Sequence, residues 1–305
     1  MRSAIWQAPP GSVRLGPDRI ARRAARAAER LRACTLCGHR CRADRVAGAR
    51  GNCETGDRAV VTSFGAHRGE ERPLSGWRGS GTVFFGGCNL HCLYCQNWEI
   101  SRSRPGDEVE PHELADIFLE LQTTGCHNLN LVSPTHVIAP ILAALALALR
   151  RGFQLPVVYN TGGYDSPEAL ALLDGVVDIY MPDMKYADPA TGARLSRAEH
   201  YPRINGVAVR EMHRQVGDLV LGSEGIARRG LLVRHLVLPG GLAGTEEVLR
   251  FVAEEISRDT YMNLMHQYRP CGEAHQHPPL DRRLRPQEYR EAVEFAHRYG
   301  LRRLD

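Results

Sequence analysis

From residue 82 onward the chain alternates short β-branched or aliphatic runs with amphipathic stretches of helical period, and few folds accept that alternation. Strands are predicted at Thr82–Gly86, Asn128–Val132, Pro156–Asn160, Val177–Met181, Leu231–Leu238 and Thr260–Met265, with helices between them and after the last. The final helix shows the logic: Pro286 suits a first turn, Tyr289, Val293 and Ala296 share a face, and Gly300 follows as a stop. Six such βα units imply an α/β fold around a parallel sheet. In closed or partly closed parallel barrels chemistry gathers at the C-terminal rim, so the residues just after each strand are the first candidates for function.

The rest of the composition narrows the class. With 305 residues, 43% hydrophobic and 24% charged, the chain suits one large domain plus a small appendage. The longest apolar run, Val137 to Leu149, contains Pro140 and falls short of the about 20 residues a membrane span needs, so it reads as a buried helix. Met1-Arg2-Ser3-Ala4-Ile5-Trp6 lacks the apolar core and cleavage site of an export signal, and a cytoplasmic, non-membrane protein is expected. Nine cysteines are then poor disulfide candidates, and their spacing reads as metal chemistry. Residues 1–58 carry 13 basic and 5 acidic side chains, but without aromatic interleaving they read as a solvated face and not a nucleic-acid site. Of 39 basic residues only Lys185 is lysine, and a compact ammonium is not interchangeable with a guanidinium at a tight site.

Ahead of the βα units, Ile20, Ala24, Ala27 and Leu31 recur at helical intervals and predict a helix over residues 18–32. Cys34, Cys37, Cys41 and Cys53 follow as C-x2-C-x3-C-x11-C among glycines and polar residues, a small Cys-rich metal-binding segment. Four cysteines satisfy either a tetrahedral zinc or an auxiliary [4Fe-4S] cluster. The expected organisation is this front over residues 1–58, a connector over 59–81 and the βα domain over 82–305.

After the first predicted strand comes Gly86-Gly87-Cys88-Asn89-Leu90-His91-Cys92-Leu93-Tyr94-Cys95-Gln96-Asn97. Three thiolates in one loop, Cys88, Cys92 and Cys95, cap three irons of a cubane and leave the fourth iron open to a chelating ligand. Structural zinc takes four ligands, and only His91 lies inside the loop to complete such a set. An open iron implies chemistry.

These features together resemble the radical S-adenosylmethionine (SAM) superfamily, whose members carry C-x3-C-x-aromatic-C after the first strand of a partial (β/α)6, TIM-like barrel. More narrowly, the front cysteines, the stretch from Gly87 to Trp98, Asn160-Thr161-Gly162-Gly163-Tyr164 and Asp178-Ile179-Tyr180-Met181-Pro182-Asp183-Met184-Lys185 resemble PflX-type proteins, relatives of pyruvate formate-lyase activating enzymes. The resemblance implies that SAM chelates the open iron and that an electron from the cluster cleaves its sulfonium bond. A 5′-deoxyadenosyl radical then abstracts hydrogen from a substrate that is a protein, a peptide or a small molecule. It also implies a low-potential electron donor such as flavodoxin or ferredoxin.

The resemblance makes Tyr94, Asn160, Thr161, Asp183, Lys185 and His235 cofactor-binding candidates, with Asp183, Lys185 and Cys271 as catalytic candidates. Each has a plainer reading. Asp183 suits a helix cap, Asn160 and Thr161 suit a turn into Gly162-Gly163, and a lone cysteine is usually a small buried hydrophobe. Alternation lets only one of Arg234 and His235 point into the barrel. Where many radical SAM proteins carry Gly-Gly-Glu, this chain has Ser133-Pro134-Thr135-His136, so His136 is a ligand candidate, with capping by Thr135 as the alternative. His266, Gln267, Tyr268 and Arg269 suit substrate contacts. A competing class is a non-catalytic iron–sulfur or zinc protein that binds RNA or protein through its basic front.

Overall fold

The computed structural model describes residues 8–305; the Met1–Trp6 stretch read above for an export signal lies outside the described residues. Nine strands form one sheet: β1 (Ala59–His67), β2 (Ser80–Phe85), β3 (Asp107–Val109), β4 (Leu129–Val132), β5 (Val157–Thr161), β6 (Ile179–Pro182), β7 (Val220–Leu221), β8 (Ala227–Leu236) and β9 (Tyr261–Met265). The six strands expected from the βα alternation are β2, β4, β5, β6, β8 and β9. They pair in that order and all in parallel. The result is a mixed α/β fold with an open, parallel-rich sheet, consistent with a partial barrel.

The predicted connector is part of the sheet. β1 pairs antiparallel with β2, and β3 pairs antiparallel with β1, extending the edge. Only Ala59, Val60 and Val61 of β1 are buried; its Ser-, Gly- and His-bearing remainder is exposed or half-buried, so the apolar signal is too short to announce a strand. Residues 68–79 then close the floor of the barrel. Leu74 packs with Val158, Ile179, Met181 and Leu232, and Asn263 donates to a carboxylate oxygen of Glu71 at 2.8 Å. β8 begins at Ala227, earlier than expected, because Arg228 and Arg229 hide its first turn of alternation.

The front helix spans Pro17–Glu29 and continues as a tighter turn over Arg30–Ala33. Its face of Ile20, Ala24, Ala27 and Leu31 is buried, and the helix packs mainly on Ile138–Arg150, the apolar helix that carries Pro140 in its first turn. No helix among the described residues is long and apolar enough to cross a membrane.

Candidate active site

The cysteine loop leaves β2 through Gly87, which sits at φ +86°, and lies over the C-terminal rim. A cavity of about 280 Å³ opens there. Cys88, Cys92 and Cys95 line it together with Asn160, Thr161, Asp183, Lys185 and Arg234. Residues from four stretches of sequence therefore meet in one place.

Each loop sulfur has a hydrogen-bond donor within reach. The Leu90 amide donates to Cys88 Sγ at 3.3 Å, Ser196 Oγ to Cys92 Sγ at 2.9 Å, and Ser101 Oγ to Cys95 Sγ at 3.8 Å. Ser196 ends a buried relay: Tyr94 and Tyr186 share a hydroxyl hydrogen bond at 2.7 Å, and Tyr186 bonds Ser196 Oγ at 2.6 Å. Burial pushes the Cys88 thiol up to about 12 and raises that of Cys92. Coordination by a metal reverses that penalty, since a ligating thiol gives up its proton outright.

Asp183 and Lys185 are joined at 2.6 Å, and Arg234 Nε donates to the other Asp183 oxygen at 2.9 Å. Arg234 also donates to Asn160 Oδ1 at 2.8 Å. Burial raises the Asp183 pKa, but the guanidinium of Arg234 and the ammonium of Lys185 outweigh it and hold the carboxylate below its ordinary value. One carboxylate thus joins two cations, Glu70 and Glu71 also act on Arg234, and unused N–H groups remain on Lys185 and Arg234. Asp183 is thus a holder of cations and not a helix cap; the cap of the next helix is Asp188, which accepts from Thr191 N at 2.7 Å.

The strand ends carrying these groups are tied by a helix spanning Tyr201–Val216. Tyr201 Oη donates to the carbonyl of Gly162 at 2.8 Å and lies 3.0 Å from that of Asp183, while Asn205 Nδ2 lies 3.0 Å from the carbonyls of both Gly163 and Asp183. Gly163 has φ +74°, and a Cβ there would fall 2.2 Å from Asn205 Nδ2. On β5, Thr161 donates to the buried Asp165 at 2.7 Å, which also accepts from Tyr159 and Thr135.

Other expectations change. Arg234, not His235, faces the cavity. His235 is fully buried on the opposite face, between the Met184 carbonyl at 2.6 Å and Thr245 Oγ1 at 2.9 Å, and its pKa is lowered to about 4, chiefly by burial. His136 is also buried and lowered to about 4, with Nε2 3.0 Å from the Gly86 carbonyl; it supports the loop and does not line the cavity. Thr135 binds Thr161 and Asp165 instead of capping a helix. Cys271 is half-buried and outside the cavity lining, whereas Gln267 lines it. His266 packs on Tyr289, and Tyr268 donates to the Leu280 carbonyl at 2.7 Å. Cys126 is a buried core residue.

Sequence reasoning missed Ser101, Ser196, Tyr186, Tyr201 and Asn205. The last two could have been found, as a polar i, i+4 pair on one face of the second helix after the Asp183 strand. The serines carry no signal of their own.

The front cysteines gather around Cys37, whose thiol burial pushes to about 12; the thiols of Cys53, Cys34 and Cys41 add to the shift against a backbone hydrogen bond from His39. Cys34 and Cys53 are buried and Cys41 is exposed. Among the described residues no three His, Cys, Asp or Glu side chains close on one point as the ligands of a single ion do. A cubane spreads its cysteines over separate irons, so three thiols spaced along the wall of one cavity, each with a nearby donor, fit a [4Fe-4S] cluster. The free N–H groups of Lys185 and Arg234 beside them fit the carboxylate and hydroxyl groups of SAM.

Residues 82–216 match the model of the radical SAM superfamily. The chain is also 34% identical over 278 residues to the uncharacterized protein MJ0674 of Methanocaldococcus jannaschii, an alignment that covers 88% of this chain and 75% of that protein.

Proposed function

The chain belongs to the radical SAM superfamily, whose members cleave SAM at an iron–sulfur cluster, and from that premise we propose that it is an activating-enzyme-like, PflX-type member that makes a radical on a partner protein or peptide. The observation that supports the site assignment is the single cavity in which Cys88, Cys92 and Cys95 face Lys185 and Arg234. When bound, the cluster supplies the electron that cleaves the sulfonium bond of SAM, giving a 5′-deoxyadenosyl radical for hydrogen abstraction.

This chain's residues do the rest. Cys88, Cys92 and Cys95 hold the cluster, and the Leu90 amide, Ser196 and Ser101 set its potential through their bonds to sulfur. Lys185 and Arg234 bind the carboxylate or ribose hydroxyls of SAM by charge-assisted hydrogen bonds. Asp183 keeps both cations aimed at the cavity, and Asn160 fixes the guanidinium. Tyr201 and Asn205 keep the strand ends in register. Cys34, Cys37, Cys41 and Cys53 hold a second centre, zinc or an auxiliary cluster.

The test is anaerobic reconstitution followed by dithionite and SAM. Methionine and 5′-deoxyadenosine should form, and the reduced cluster's EPR signal should change when SAM is added. Both should vanish in Cys92→Ala. A fully loaded cluster that yields no 5′-deoxyadenosine would overturn the reading.

A further inference from the structure

One layer beneath the active-site cavity the inside of the sheet turns polar. Phe84, Val132 and Met265 line the cavity. Two residues earlier on β2, β4 and β9 stand Thr82, Asn130 and Asn263, about 6–7 Å deeper in the barrel. Leu129 and Leu131 pack into the helix-covered core, as do Met262 and Leu264, so alternation turns Asn130 and Asn263 inward. Glu70 and Glu71, from the segment that closes the floor, meet them there. Asn263 donates to one oxygen of Glu71 at 2.8 Å, and the Asn130 amide lies close enough to Glu70 to favour its charged form.

Six buried side-chain nitrogen and oxygen atoms have no hydrogen-bond partner among the described residues, and three of them are in this layer. They are Glu71 Oε2 and both polar atoms of Asn130, which is fully buried. Leaving a buried polar atom unpaired is costly, and orphans gathered at one point below a reaction cavity point to a ligand.

Its charge follows from its surroundings. Three carboxyl groups, Glu70, Glu71 and Asp183, face two cations, Lys185 and Arg234, and the hydrogen bonds of the Arg234 side chain go to Asp183 and Asn160. On the outer side Asp305 is within range of both Glu71 and Arg72, one charge of each sign. One negative charge is thus in excess when all three carboxyls ionise. Burial raises the Glu70 carboxyl to about 7 against the pull of Arg234, with Glu71 adding to the rise, so near neutrality a proton offsets part of that excess. Ca²⁺ or Mg²⁺ takes six or more ligands. Only two carboxylates meet here, and among the described residues no three His, Cys, Asp or Glu side chains converge as a metal's ligands do. An alkylammonium needs only acceptors for its three N–H groups.

We propose that Glu70, Glu71 and Asn130 seat the ammonium group of the hydrogen-donating substrate, an aliphatic amine or a lysine side chain of a peptide, an inference that rests on the SAM-cleaving reading of the cavity above. With the ammonium held there, the carbon chain rises into the cavity. A C–H bond of the chain breaks, a C–H bond forms at C5′ of the 5′-deoxyadenosyl radical, and the unpaired electron passes to the chain carbon; no proton or further electron is exchanged.

The test is deuterium transfer in the reconstituted holoenzyme with dithionite and SAM. Carbon-perdeuterated n-butylammonium, n-butanol and butyrate are supplied in turn, and mass spectrometry reads the fraction of 5′-deoxyadenosine that carries deuterium. The cation should label it about 10-fold or more above the alcohol and the carboxylate, and Glu70→Gln and Glu71→Gln should each lose that preference. Arg22→Glu, on the exposed face of the front helix, should keep it. Because label is read per 5′-deoxyadenosine formed, a slower SAM cleavage does not imitate the result. A capped peptide with side-chain-deuterated lysine separates the two sources: label from the peptide makes the donor a partner's side chain, label from the free amine alone makes it a small molecule, and either supports the seat. Equal label from butanol, no label from either amine, or label kept in folded Gln variants would overturn the proposal. Suppression of the label by Ca²⁺ beyond that of Na⁺ at matched ionic strength would overturn it too, by making the layer a metal site. If the Gln variants do not fold, the parent's choice among the three probes decides. A parent that forms no 5′-deoxyadenosine would instead strike the SAM-cleaving reading, so the two failures are told apart.

Discussion

Replacing Asp183 by Asn keeps the shape of the rim and removes its one negative charge. Lys185 and Arg234, whose side chains are 18% and 19% exposed, would then lose the carboxylate that joins them, and only Arg234 would keep the pull of Glu70 and Glu71. Stranding a buried charge in this way costs about 3–5 kcal/mol. At about 2 °C per kcal/mol for a chain of this length, the melting temperature should fall by roughly 6–10 °C. The pH dependence carries the sign. The Asp183 pKa is depressed by its cations, so its contribution is fully present above the ordinary carboxylate value and disappears as pH falls through the folded value. The gap between parent and Asp183→Asn should therefore be widest near neutrality and shrink toward pH 3. Circular-dichroism melts of the reconstituted proteins across that range measure it. Adding Lys185→Met to Asp183→Asn removes one stranded cation and should recover part of the loss, a coupling expected of groups in contact. A single variant that melts within about 1 °C of the parent at pH 7 would refute the ion triad, as would a gap that does not narrow in acid.

Three further outcomes are expected. Ser196→Ala removes a donor to Cys92 Sγ and should make the cluster potential more negative in an EPR-monitored redox titration, with iron content unchanged. His136 and His235, both lowered to about 4, stay neutral in the fold while the unfolded chain takes up protons below about pH 6.5, so each should cost about 3 kcal/mol of stability by pH 4 in urea titrations. Cys34→Ala should lose the front metal and keep the loop cluster: metal analysis would show about one zinc missing for a zinc site and about four irons for a second cluster, and an unchanged metal content would remove the front centre.

The βα rhythm was readable because parallel strands covered by helices are apolar on both faces, and all six runs became parallel strands. β1 was not, since half of it lies open on an antiparallel edge. The cysteines stood out through spacing and Lys185 through rarity, while Asp183 came only from the family resemblance. Arg234 and His235 could not be separated, because alternation assigns opposite faces without saying which is inward. Ser196 joins Cys92 across 104 residues, and no local pattern encodes such a contact.

The seam between the front segment and the rim bears on how the chain assembles during synthesis. Gly38 donates to the Tyr164 carbonyl, His39 meets the carbonyl of Asn89, Asn89 donates back to Tyr164, and Arg40 pairs with Glu168, 128 residues later. At about 5–20 residues per second the front waits roughly 6–25 s after emerging before its docking partners exist. During that interval its four thiols have no rim to bury them. The front segment is thus made well before the residues it docks on, and until they follow its thiols meet the cell in an open loop.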